Sequence, residues 1–547
     1  MSEVTRAAPG AQEEQHFDAV IVGAGFAGMY MLHRLRNAGF RVRVFETGDG
    51  VGGTWYWNRY PGARCDVESM EYSYGFSEEL QQEWEWTERY SGQPEILRYA
   101  NHVADRFDLR RDISFNTRVT NAHFDEEAKR WRVETDKGDV VSAQFCIMAT
   151  GCLSSANLPD FPGRDSFAGE TYHTGRWPHE PVDFTGKRVG IIGTGSSAIQ
   201  AIPVIAAQAT HLTVFQRTPN YSIPARNEPL DPNRVAEIKA DYAGLRERNY
   251  RMPAGFGSMM PSNDGTALED DAEVRRSNYE ERWERGGFTF LGAYADLLSN
   301  REANQTAAGF VRERIREIVG DPKTAELLSP DNVIGCKRPC LDTNYFETYN
   351  RDNVSLVNVR DNPVERITPK GVVTGGQEYE LDSLIFATGF DAMTGALLNI
   401  DVRGRGGQTL DDKWAAGPRT YLGLSTVGFP NLFMISGPGS PSVLTNMITS
   451  IEQHVVWIHD CLTYLRDKGI ATIEATPPAE DDWVDHVNAV ADLTLYPTCN
   501  SWYLGKNIPG KPQVFMPLIG FPPYVEKCDA VAANDYEGFA LAPGGRE

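Results

Sequence analysis

No stretch of the 547-residue chain reaches the roughly 20 consecutive apolar residues needed to cross a bilayer. The first 16 residues, MSEVTRAAPGAQEEQH, lack the apolar core of a signal peptide and read as a mobile tail. Basic residues are outnumbered: 53 Lys and Arg stand against 75 Asp and Glu, a formal charge of −22. That argues against nucleic acid, or an anionic membrane, as a general partner. Cysteine is sparse, with eight scattered at 65, 146, 152, 336, 340, 461, 499 and 528. Cys336 and Cys340 are four apart, but no Cys or His pair completes a metal site. The reading is therefore reduced thiols, no metal and a cytoplasmic setting. Short repeats and low-complexity tracts are missing too. What is present, 41% hydrophobic and 23% charged residues, suffices for several globular cores, and the length suggests about three domains.

Two glycine-rich turns organise the chain. FDAVIVGAGFAGMYMLHRLRNAGFRVRVFET (17–47) reads as strand, turn, helix, strand, with Gly23, Gly25 and Gly28 in the turn. GKRVGIIGTGSSAIQAIPVIAAQATHLTVFQRT (186–218) repeats the pattern with Gly193, Gly195 and Ala198. The first two glycines let backbone N–H groups approach a pyrophosphate, the third position allows close helix–strand packing, and the helix N-terminus favours negative charge. The residues ending the second strands differ. Glu46 can accept from both ribose hydroxyls of an adenosine, as FAD requires. Its counterpart segment, QRT, has Arg217 and no acid, which suits the 2′-phosphate of NADP.

ATG at 149–151 and ATGFD at 387–391 each follow an apolar strand, where small residues let the chain pass close to a cofactor. This doubling predicts an α/β fold of two Rossmann-like dinucleotide-binding domains with a mainly helical insertion. The boundaries are an FAD-binding domain over 17–150 and 386–547, an NADP-binding domain over 151–224 and 336–385, and an insertion over 225–335. In the insertion, Val235, Ile238, Tyr242 and Leu245 share one helical face, as do Val311, Ile315 and Ile318. Further helices are expected over about 447–468 and 480–492. Between the turns, FAGETYHTGRWP (167–178) has neither the alternation of a strand nor the stripe of a helix and reads as a linker. GGTWYWNRYPGARCD (52–66) offers stackable aromatics and ends in a lone carboxylate, Asp66.

The last two stretches carry a resemblance. FAGETYHTGRWP matches the F-x-G-x-x-x-H-x-x-x-W-P fingerprint of type I Baeyer–Villiger monooxygenases, and GGTWYWNRYPGARCD matches their G-G-x-W-x-x-x-x-Y-P-G-x-x-x-D motif. The likeness extends over nearly the whole chain. It implies FAD, NADPH and O2 acting on a ketone through a flavin C(4a)-peroxide, inserting one oxygen beside the carbonyl to give an ester or lactone. Arg338, in IGCKRPCLDTNYFETYNRDN, would then be the active-site cation, held by Asp66. Thr54, Trp55, Asp66, Tyr72 and Val119 would lie along FAD. Arg64, Thr194, Ser196, Ser197, Ala198, Gln200, Arg217, Thr218 and Lys337 would lie along NADP, and Trp502 would reach the nicotinamide ribose. His173 and Trp177 would fix interdomain geometry rather than act as acid or base. GPGSPSVLTNM (437–447) is similar to the substrate-side loop of phenylacetone and steroid monooxygenases. The segment PLIGFPPYVEK (517–527) departs from the family pattern, having one Gly and no Arg where a Gly pair and an Arg are usual. Two rivals stay open at this point: a related flavin monooxygenase acting on nitrogen or sulfur, and a non-catalytic nucleotide sensor. The Trp-Pro ending and Arg338 count against the first, and the pairing of Asp66 and Arg338 with both cofactor sites counts against the second.

Overall fold

The computed structural model describes residues 15–505, 510 and 520–544. The expected N-terminal tail falls outside these residues except for Gln15 and His16, which belong to the first strand, Gln15–Val22. Of the atypical 517–527 segment, Phe521–Lys527 lie in the helix Phe521–Ala533, and 517–519 are outside the described residues.

Two mostly parallel sheets position everything that follows. The first runs in the order Asp401–Arg403, Val119–Asp125, Arg130–Thr135, Val140–Met148, Gln15–Val22, Val42–Phe45, Ile113–Ser114, with Leu432–Met434 also paired to Val140–Met148. Register places Val22 beside both Phe45 and Met148. Three strand ends therefore deliver Gly23, Glu46 and Ala149 to one spot, the carboxyl edge where open α/β sheets bind ligands. Alternate residues face opposite sides of each strand. Ile21, Val44 and Ile147 meet Leu32, Leu35, Ile458 and Leu462 on one face, while Val20, Cys146 and Met148 meet Trp131 and Leu432 on the other. Burial on both faces is why these strands read as unbroken apolar runs.

The second sheet is wholly parallel, in the order Val354–Asn358, His211–Gln216, Arg188–Ile192, Ser383–Phe386, Glu170–His173. Ile192 lies beside Phe215 and Phe386, so Gly193, Gln216 and Ala387 converge as their counterparts do in the first sheet. The last strand corrects the reading of 167–178 as a linker, since Glu170–His173 pairs with Ser383–Phe386. It is an edge strand with a partner on one side. Of its four residues only His173 is buried, so no alternation was available to read.

The helical segment begins and ends at a neck, the parallel pair Ser222–Pro224 and Cys340–Asp342. The face predicted through Val235, Ile238, Tyr242 and Leu245 is split between two helices, Pro232–Ala240 and Tyr242–Tyr250. Asp241 breaks it: with φ −140° and ψ 49° it leaves the helical region, and its carboxylate caps the second helix at Gly244 N–H. Later helices span Met447–Lys468 and Pro477–Asp492, and the strands Ile470–Ala475 and Phe539–Pro543 pair in an antiparallel ribbon that had no sequence signature. The all-thiol expectation is also corrected. Cys336 and Cys499, 163 positions apart with Cα atoms 6.2 Å apart, form a disulfide, and the six other cysteines are free and buried. No helix among the described residues is long and apolar enough to cross a membrane.

Candidate active site

Both glycine turns are closed by the same contact. A Cβ at Gly23 would stand 2.6 Å from the Ala149 carbonyl oxygen, and one at Gly193 would stand 2.3 Å from that of Ala387. Each ATG thus packs its alanine carbonyl on the first glycine of a turn. Gly28 meets the Gly23 carbonyl just as closely, at 1.9 Å for an added Cβ. The helices that follow, Phe26–Asn37 and Ser196–Ala206, have Gly25 and Gly195 at their N-caps, no side-chain cap and no acid in the first turn. Their leading amides are left for an anion. Space for one exists: a Cβ on Gly195 would meet nothing within 4 Å.

Glu46 is buried, with Oε2 accepting from Ala24 N–H and Oε1 from Gly48 N–H, both at 2.7 Å. Burial raises its pKa, and those amides partly oppose the rise. A carboxylate keeps about four acceptor sites, so lone pairs remain for ribose hydroxyls. The loop starting at Gly52 folds over the turn, with a Gly25 Cβ position only 3.3 Å from Gly53 Cα. Thr54 is exposed at the start of the short helix Thr54–Trp57, and Trp55 donates from Nε1 to Tyr72 Oη at 3.0 Å. Val119 is buried at the start of its strand. An uncapped helix start, a glycine cradle and a buried acid at the strand end fit FAD.

The second turn fits NADP by the same test with opposite charge. Arg217 is exposed at the end of His211–Gln216. Burial lowers the pKa of Lys337, and the charge of Arg217 lowers it further. The two cations are thus near enough for their like charges to repel, and neither has an ion-pair partner among the described residues. Thr194 Oγ1 donates to the Thr218 carbonyl at 2.9 Å, fixing the turn on the strand end. Ser196 and Ser197 open the helix, and Ala198 is buried against the sheet. Gln200 instead reaches the aromatic loop: its Oε1 accepts from Tyr60 Oη at 2.8 Å and Arg64 N–H at 3.3 Å, and its Nε2 donates to the Arg64 carbonyl at 3.0 Å. Arg64 pairs with Glu88 and bonds the Tyr90 carbonyl.

The fingerprint histidine ties the two crossings between sheets. His173 Nε2 lies 3.2 Å from the Asn157 carbonyl, so it carries the proton, while Nδ1 accepts from Gly175 N–H at 3.0 Å. Thr388 Oγ1 donates to the same carbonyl at 2.5 Å. A side chain at Gly175 would come within 2.7 Å of the Phe390 ring. Trp177 stacks on Tyr172 with ring centroids 5.1 Å apart.

Arg338 lies between these regions. Its Nε and Nη2 donate to Asp66 at 2.7 and 2.9 Å, and Nη1 donates to the Val443 carbonyl at 2.6 Å. Asp66 and Val443 thus engage three of the five guanidinium N–H groups. Desolvation pulls its pKa down, but Asp66 outweighs that and raises it, so the group is always cationic. The motif reading missed two neighbours. The Phe288 ring faces the guanidinium at 4.4 Å, and the Tyr503 hydroxyl bonds it. Phe288 was signalled only by the double glycine before it. Trp502 and Tyr503, rings 4.3 Å apart, share an apolar cluster with Cys152, Met393 and Val443.

Comparison with known proteins adds the following. Residues 20–243 match a family described as pyridine nucleotide-disulphide oxidoreductase. A Baeyer-Villiger monooxygenase of Pseudooceanicola batsensis is 45% identical over 525 residues, 95% of each chain. A phenazine N-monooxygenase of Lysobacter antibioticus is 42% identical, covering 97% of this chain and 98% of its own. Among solved structures, an oxidized steroid monooxygenase bound to NADP is 55% identical with a TM-score of 0.92, over 97% of this chain and all of the other. An OTEMO complex with FAD and NADP is 41% identical with a TM-score of 0.93, at the same coverage.

Proposed function

The chain belongs to the Baeyer–Villiger monooxygenase family, and we propose that its oxygen transfer depends on Arg338, oriented by Asp66. It uses FAD, NADPH and O2 to convert a ketone to an ester or lactone. When bound, FAD relays two electrons from NADPH to dioxygen, redox chemistry that no side chain here provides. The protein's own residues bind, orient and stabilise charge. Glu46 and the amides after Gly25 hold the adenosine and pyrophosphate of FAD, with Trp55, Tyr72 and Val119 alongside. The amides of Ser196 and Ser197 would hold the pyrophosphate of NADP, Arg217 and Lys337 would pair with its 2′-phosphate, and Trp502 would reach the nicotinamide ribose.

Ketone oxygenation develops negative charge on oxygen, and a fixed cation stabilises that charge without reorganising. The observation that carries the proposal is the bidentate Asp66 bond, which keeps Arg338 charged and oriented. A cytoplasmic setting is supported by reliance on NADPH alone, since the Cys336–Cys499 disulfide does not fit a reducing compartment. The test is Arg338→Ala. NADPH should still be oxidised, but losing one anion-stabilising donor lowers oxygen transfer about 10²–10³-fold, so ester should vanish and the oxygen consumed should appear as hydrogen peroxide. Ester yield per NADPH equal to the parent's would remove Arg338 from the reaction. Because one relative is a phenazine N-monooxygenase, the same assay should include a nitrogen heteroaromatic such as phenazine, with N-oxide and ester measured side by side.

A further inference from the structure

We propose that Phe288, delivered by the helical insertion, is a positioning residue for Arg338. The inference rests on Arg338 being the anion-binding cation. Two bonds to Asp66 fix one edge of the guanidinium, but by themselves they form a hinge: the planar group can swing about that edge. The Val443 carbonyl restrains the far nitrogen within the plane, and the Tyr503 hydroxyl accepts a further bond without covering a face. The Phe288 ring covers a face, its centroid 4.4 Å from Cζ, and so opposes out-of-plane swing. A guanidinium over an aromatic face is attracted by the ring's negative π surface, most strongly where water is kept away.

The backbone is built to put the ring there. Gly286 and Gly287 precede it with φ of 71° and 82°, the left-handed region that side chains disfavour. A Cβ on Gly287 would lie 2.2 Å from Tyr90 Oη, and one on Gly286 would lie 2.4 Å from the Pro224 carbonyl oxygen. Gly287 N–H donates to that carbonyl at 2.9 Å. Pro224 in turn pairs with Asp342, in the strand that begins two residues after Arg338. Phe288 and Arg338 are thus registered on one neck, and a shift of either moves against the same two strands. Phe256 backs the ring at 6.0 Å in an edge-on contact. The insertion therefore contributes directly to the site, although its sequence shows only helices.

The test uses the holoenzyme and three variants, Phe288→Leu, Phe288→Trp and Arg338→Ala. Leu keeps apolar bulk without a π face, and Trp restores the face. Ester formed per NADPH consumed should fall about tenfold in Phe288→Leu and recover to within about twofold of the parent in Phe288→Trp. A second readout does not involve turnover. The rate at which an arginine-specific dicarbonyl modifies Arg338, followed by peptide mass in the holoenzyme without substrate, should rise about threefold or more in Phe288→Leu and not in Phe288→Trp. If Phe288→Leu couples like the parent while Arg338→Ala does not, the positioning role is wrong and the role of Arg338 stands. If Arg338→Ala also couples normally, the underlying reading fails. Equal loss in Leu and Trp variants, with unchanged modification rates, would reduce Phe288 to packing and overturn the inference.

Discussion

Asp66 takes the Nε and Nη2 hydrogens of Arg338 at 2.7 and 2.9 Å across 272 positions of sequence. The bond joins the end of the aromatic loop over the first glycine turn to the chain leaving the insertion. Both side chains keep about a quarter of their surface exposed, at 24% for Asp66 and 22% for Arg338. Removing one partner leaves a desolvated charge with no counterion. Asp66→Ala should destabilise the fold by about 2 kcal/mol, less than the roughly 3–5 of a fully buried pair. It should also lower ester per NADPH at least tenfold, because the guanidinium loses its fixed edge. Asp66→Asn keeps one acceptor and should fall between. Thermal melts and product yields measured on one preparation would check both, and a coupling ratio at the parent level in Asp66→Ala would show that orientation does not depend on this pair.

Arg217 lowers the pKa of Lys337 by its charge, and neither has an ion-pair partner among the described residues. A charge-assisted hydrogen bond contributes about 1.5–3 kcal/mol. Arg217→Ala should raise the KM for NADPH roughly tenfold or more and leave that for NADH nearly unchanged. Steady-state kinetics with both nicotinamides would decide it. Equal use of NADH and NADPH by the parent enzyme would contradict a 2′-phosphate site here.

Glu46 is a buried carboxylate at the end of Val42–Phe45. The purified protein should be yellow, and denaturation should release intact FAD, since nothing in the site suggests a covalent link. Glu46→Ala deletes the ribose acceptor and releases Ala24 and Gly48 from their bonds. Flavin affinity should drop about tenfold to a hundredfold, read as free FAD separated by ultrafiltration. Flavin retention matching the parent would place the adenosine elsewhere.

Glu71 gives the fold a pH dependence. Burial, reinforced by Glu68, pushes its carboxyl up to about 7 from an ordinary 4.5. The folded state therefore holds its proton more tightly than the unfolded one. The associated stability is fully present below pH 4.5 and is lost as pH rises through about 7. Glu71→Gln keeps an acceptor for Gly257 N–H and never ionises. It should match the parent near pH 4 and be more stable at pH 8, on the order of 1–3 kcal/mol. Denaturation curves at the two pH values would show it. A difference between variant and parent that does not change with pH would mean Glu71 ionises freely in the fold.

The sequence by itself determined what lies within one strand–turn–helix–strand unit. Such a unit is contiguous, so its strand ends must fall side by side, and Glu46 and Arg217 could be assigned to opposite cofactor preferences from spacing and charge alone. Two long motifs then carried the family. Where the readings failed, the deciding contact was distant. Glu170–His173 is a strand only because Ser383–Phe386 lies beside it. The helical face through 235–245 broke at Asp241 because a carboxylate that caps the next helix is worth more there than one more helical turn. Cys336 met Cys499, and Phe288 met Arg338, through closure of the neck and the packing around it. Residue types report what a side chain can bond, but closure of the neck decides which partner it meets. Residue type alone left Arg338 as one more surface cation, the resemblance singled it out, and tertiary structure set its orientation.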